Sequence, residues 1–158
     1  MKSSARLVRE HQVVFCGLEV LRLMGERIEN RTDVDGEDVQ IVLTFMREVA
    51  HRCLDNTEEF LQAAAMEQKL LGHRRARLLF DEMSCTSAGE DFAGNCRAYT
   101  TLVAELIFED RRSLSKLDWD PVTLGQFYEW EREIDELARK HGPTLHRLEM
   151  KYTSPHCI

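Results

Sequence analysis

Proline is scarce in this chain, three residues in 158, and none precedes Pro121. Since a proline in a helix interior costs about 3 kcal/mol, the long stretch before it carries no strong helix breaker. Missing too is any useful length of the polar–apolar alternation that marks a half-buried strand, which removes β structure as the main element. No apolar run approaches the ~18 residues of a membrane span. The opening MKSSARLVREHQ has no apolar core of the kind a secretory signal needs. The five cysteines (Cys16, Cys53, Cys85, Cys96, Cys157) are odd in number and never form a C-x-x-C pair. In a chain expected to be cytoplasmic they read as reduced thiols, and their spacing speaks against a thiolate zinc site. Basic residues are outnumbered, giving a net charge of −7, which speaks against a nucleic-acid partner. There is no glycine-rich phosphate loop and no defensible Ser/His/Asp order.

What is present is helical periodicity. Leu7, His11, Val14, Leu18, Leu21 and Ile28 recur at spacings of three, four or seven. That helix is expected to end near Asn30, before RTDVDGED. A second starts at about Gly36, with Val39, Val42, Phe45, Val49 and Cys53 on one side, and continues through Leu54, Glu58 and Leu61. A third carries Leu70, His73, Arg77 and Phe80 on one face, and SCTSAGED is a loop. A fourth runs from about Phe92 to Leu114. A fifth starts at Asp120-Pro121 and is expected to stop at His141-Gly142-Pro143. Trp119, Phe127, Tyr128 and Trp130 are expected to pack it on the rest, while His141, His146 and His156 read as surface residues. The chain is therefore one all-α domain over residues 1–158, most simply an up-down four-helix bundle with an additional C-terminal helix and tail from about residue 120.

Four places on these helices carry metal-ligating side chains: His11, Glu58, His73 and the pair Glu105/Glu109. Positions four apart on an α-helix lie one above the other, so Glu105 and Glu109 aim two carboxylates the same way. Bundles build metal sites from such inward groups on facing helices. Glu58 and His73 would stand about 22 Å apart on an unbroken helix at 1.5 Å per residue, so a shared site requires a turn near residues 63–69. Taken singly, a lone histidine on an apolar face is more often a core residue, and an acidic pair is usually a solvated face.

In order and spacing these motifs resemble the hemerythrin-like family, the HHE cation-binding domains. REHQVV resembles its first-helix motif, with His11 as ligand. CLDNTEEFL resembles the second-helix Cys-His-His-x-Lys-Glu-Glu, with Glu58 as a carboxylate bridging two metals. GHRRARLL resembles Glu-His-x-x-x-Arg, with His73 as ligand. LVAELIFED resembles Leu-x-x-His-Ile-x-x-Glu-Asp, with Glu109 as the second bridge. FYEWEREIDELA and GPTLHRLE resemble the tail of bacterial members, so the likeness spans roughly residues 5–150. Two positions depart: Leu54 and Glu105 stand where the family places histidines. Glu105 remains a competent ligand for iron or manganese, whereas leucine cannot ligate. Asp55, one turn from Glu58, and His51, two turns away, are candidate substitutes, with Asp55 the better placed.

The resemblance implies a carboxylate-bridged pair of metal ions, iron or alternatively manganese, held by His11, Glu58, His73, Glu105 and Glu109. The implied chemistry is the handling of a small ligand such as oxygen, peroxide or nitric oxide. The competing class is a metal-free or sensory helical interaction module of the same fold. A carboxylate cluster buried without metal would be costly, so in that case the glutamates are expected to turn outward or pair with arginines such as Arg77.

Overall fold

The structure, a computed structural model, describes residues 2–63, 70–85, 90–116 and 120–153, with side chains from residue 12 to 59, 70 to 85, 91 to 114, at 116 and from 120 to 153. Every regular element among the described residues is helical. We number five helices: α1 (Lys2–Glu29), α2 (residues 36–63), α3 (Leu70–Cys85), α4 (Glu90–Ser115) and α5 (Pro121–Thr153).

Local chemistry sets the helix ends. α1 closes with Arg31 in the left-handed region (φ 57°), while the Thr32 N–H reaches back to the Arg27 carbonyl at 2.7 Å. This closure satisfies a carbonyl that the helix end leaves open. Asp35 caps α2 by accepting from the Glu37 N–H at 3.0 Å. Asp120 caps α5, accepting from the Thr123 N–H at 2.8 Å and from its hydroxyl at 2.9 Å, with Pro121 in the first helical position. These bonds hold the Asp120 carboxyl below its ordinary range.

α2 contains one widened turn, a π-helical segment at Met46–Ala50. It lies where α1 and α2 come close: a Cβ built on Gly17 would fall 2.5 Å from the Phe45 ring, inside contact distance. Glycine at 17 lets the wholly buried Phe45 ring lie against the α1 backbone.

The core runs the length of the molecule, with Tyr99, Phe45, Phe92 and Phe127 as its largest fully buried side chains. α1 packs along both α4 and α5. His51 meets Phe80 and Glu58 meets His73, so α2 and α3 run in opposite directions. His73 meets Asp110 and the Cys96 thiol donates to Met83, so α3 and α4 also run in opposite directions.

Two sequence expectations need correction at α5. The helix does not stop at His141-Gly142-Pro143 but continues to Thr153 with Pro143 inside it. An interior proline removes one N–H and crowds the carbonyl four residues earlier. Here Pro143 is exposed, so water can reach that carbonyl, and burial of Leu145, Leu148 and Tyr152 holds the following turns in place. Tyr128 is 40% exposed rather than packed, whereas Phe127 and Trp130 are buried. The loop expected at SCTSAGED and the packing of Trp119 fall largely or wholly outside the described residues. His146 is exposed as expected, but His141 is partly buried, edge-on to Phe45 at 5.4 Å and 3.1 Å from Glu48.

Candidate functional site

The expected site residues are only partly brought together. His73 projects from α3 into the interior with no exposed surface. Its Nδ1 lies 3.3 Å from Glu58 Oε1 on α2, and its Nε2 lies 2.8 Å from Asp110 Oδ2 on α4. These are ion-pair distances, yet neither ring nitrogen has an oxygen close enough to its N–H axis to make a hydrogen bond. Glu58 is also held by Arg77, one turn along α3, at 2.8 Å, and the same guanidinium bonds Asp55 on α2. The bond to Glu58, then that to Asp55, fixes the Arg77 charge still more firmly. The 3.3 Å approach of His73 to Glu58 requires a chain reversal between α2 and α3, since an unbroken helix would hold them about 22 Å apart.

Two other expected ligands stand elsewhere. Glu105 and Glu109 are exposed on the outer side of α4, and Glu109 lies 4.0 Å from Arg112. His11 belongs to α1, and its side chain lies outside the described residues. Leu54 is buried one turn before Glu58 and contributes only apolar surface. Of the two substitutes, Asp55 is engaged by Arg77. His51 pairs through Nε2 with the buried Tyr99 hydroxyl at 3.0 Å and lies edge-on against Phe80 at 4.4 Å. Burial pushes the His51 imidazole from its ordinary 6.5 down to about 4, outweighing the nearby Asp55. Burial likewise raises the Tyr99 phenol well above its usual range.

Asp110 is the interior carboxylate of α4, and the sequence held a signal for it. Val103, Leu106, Ile107, Asp110 and Leu114 recur at helical spacing, and all five are buried. Asp110 therefore sits within the apolar stripe. Glu109, one residue earlier, is turned by about 100° from it.

A bridging pair of carboxylates must share its metals, yet Glu58 and Asp110 lie against opposite nitrogens of one imidazole ring. Glu109 faces solvent, and Glu58 is already neutralised by a guanidinium. Among the described residues no group of three or more His, Cys, Asp or Glu side chains is disposed to hold a metal ion. The described donors do not fit the implied pair. What they form is a polar cluster that runs from the buried His73 and Asp110 through Glu58 and Arg77 to the exposed Asp55, joining α2, α3 and α4. Comparison with known protein families, with curated proteins and with solved structures gives no match to this chain.

Proposed function

We propose that the chain is a metal-free helical interaction module of hemerythrin-like form, with charge pairing where that form implies a metal pair. One observation carries this: Arg77 lies 2.8 Å from Glu58 and also bonds Asp55, so the carboxylate expected to bridge two metals already has its cation. Buried carboxylates need positive charge close by or must take up protons. A guanidinium supplies that charge permanently, and it repels an incoming divalent ion. The up-down order of the first four helices belongs to the same proposal, supported by the opposed directions of α2, α3 and α4. In this reading function resides on the surface, and the interior cluster fixes the register of three helices.

The competing reading keeps the iron or manganese pair and its oxygen, peroxide or nitric oxide chemistry. It requires Glu58 to exchange Arg77 for metal and Glu105 and Glu109 to turn inward. Elemental analysis and near-UV/visible absorption of purified protein separate the two. The expected outcome is no stoichiometric iron, manganese or zinc and a melting temperature indifferent to chelator. A metal that binds only the folded chain stabilises it by about 2.7 kcal/mol at a hundredfold excess over its dissociation constant. Stoichiometric metal whose removal lowers the melting temperature by several degrees would therefore reinstate the metal centre.

A further inference from the structure

The outer faces of α3 and α4 carry two stripes of identical spacing. On α3 the exposed residues are Leu71, Arg74, Arg75 and Leu78; on α4 they are Glu105, Phe108, Glu109 and Arg112. Each set follows the pattern i, i+3, i+4, i+7, which places its four side chains on one helical face. Leu71, Leu78 and Phe108 are 69%, 65% and 64% exposed, the large apolar side chains of these two faces left in solvent. Around them the charges differ in sign. The α3 stripe presents two arginines between its leucines, and the α4 stripe presents two glutamates around its phenylalanine, with Arg112 at its end 4.0 Å from Glu109. In a chain of net charge −7, a paired-arginine face is a local exception.

We propose that the chain forms a two-fold dimer through these faces, α3 of one copy lying on α4 of the other. Within one copy α3 and α4 run in opposite directions, with His73 level with Asp110. A two-fold axis parallel to the helices exchanges the two helices and keeps their heights. Arg74 and Arg75 of one copy then stand level with Phe108 and Glu109 of the other. The same contact occurs twice, as a closed two-fold interface demands. At its centre Arg74 and Arg75 meet Phe108 and Glu109, and Leu71 and Leu78 cover its two ends, so that the central charges set register and exclude other partners. A second copy is favoured over an unrelated protein because the chain itself carries the complement of each stripe. The interface holds whether or not the interior binds metal.

Sedimentation velocity across a concentration series tests this on the full chain. Wild type is expected to dimerise, more weakly as salt rises. The double reversals Arg74→Glu/Arg75→Glu and Glu105→Lys/Glu109→Lys should each weaken association by about tenfold or more, equivalent to about 1.4 kcal/mol. An equimolar mixture of the two reversed proteins should dimerise again, since both contacts then pair opposite charges. Phe108→Ser, which leaves charge untouched, should also yield monomer while circular dichroism reports an intact helical fold. A wild type that stays monomeric at high concentration overturns the proposal, as does a dimer indifferent to the reversals or a mixture that fails to re-pair.

Discussion

At Arg77 a single guanidinium touches two carboxylates, and its neighbour His73 stands between a third and one of those two. Removing the guanidinium leaves Glu58, whose side chain is only 19% exposed, with no permanent cation. Arg77→Met is therefore expected to cost about 1–3 kcal/mol. That falls below the loss from a fully buried pair because Arg77 keeps 34% of its side chain in solvent. Adding Glu58→Gln should recover most of that loss, and urea unfolding of the single and double variants measures the coupling. If the double variant is as unstable as Arg77→Met, the charge pairing is not what the arginine supplies.

A second prediction at the residue scale concerns His51. The unfolded chain takes up a proton there as pH falls past the ordinary 6.5, whereas the folded chain resists until about 4. Stability is complete above 6.5 and declines as pH falls through that window. At about 1.4 kcal/mol per pH unit the full loss is about 3 kcal/mol, of which about 2 is expected by pH 5. His51→Gln can still meet the Tyr99 hydroxyl and does not titrate. Its stability at pH 5 should sit closer to its value at pH 7 than wild type's does.

That Glu58 and His73 come close was legible in the sequence from their apolar stripes and motif order. Their expected role there is as ligands of a shared metal pair and not as partners of each other. The inward choice between Glu109 and Asp110 was legible only from the buried stripe of α4, and the motif resemblance pointed to the neighbour. Arg77 was legible as an arginine with which the glutamates of a metal-free site could pair, whereas its second bond, to Asp55, depends on two helices meeting at one height. No single-helix pattern carries that.

At the element scale, the widened turn of α2 and the glycine facing it act together. Gly17→Ala would gain about 1 kcal/mol in helix propensity, yet the new methyl would fall 2.5 Å from the wholly buried Phe45 ring. Overpacking of this kind costs about 1–3 kcal/mol, so a net loss of stability is expected. Phe45→Leu in the same chain should turn the alanine from harmful towards neutral. Thermal melts of the four combinations check it, and additive effects would mean that the two helices do not meet there. The π-helical turn was not legible beforehand, since its apolar positions also suit an ordinary helix. The passage of α5 through Pro143 was equally hidden. Proline argues for a stop, and only the burial of Leu145, Leu148 and Tyr152 beyond it decides otherwise.

Across the whole molecule, the far end of α5 is tied to the turn between α1 and α2. Asp38, nearly buried, accepts from the Tyr152 hydroxyl at 2.6 Å and from Lys151 at 2.7 Å. The Asp35 N–H meets the Tyr152 oxygen at 3.2 Å, and Arg27 donates to the Tyr152 carbonyl at 3.2 Å. The two bonds from Lys151 and Tyr152 hold the Asp38 carboxyl below its ordinary range despite its burial. All these contacts join the early part of the chain to residues more than a hundred positions later. On the ribosome, Arg27 is made 125 residues before Tyr152, a delay of roughly 6–25 s at ~5–20 residues per second. Throughout that interval the side of α1 that α5 covers in the folded chain waits for its partner.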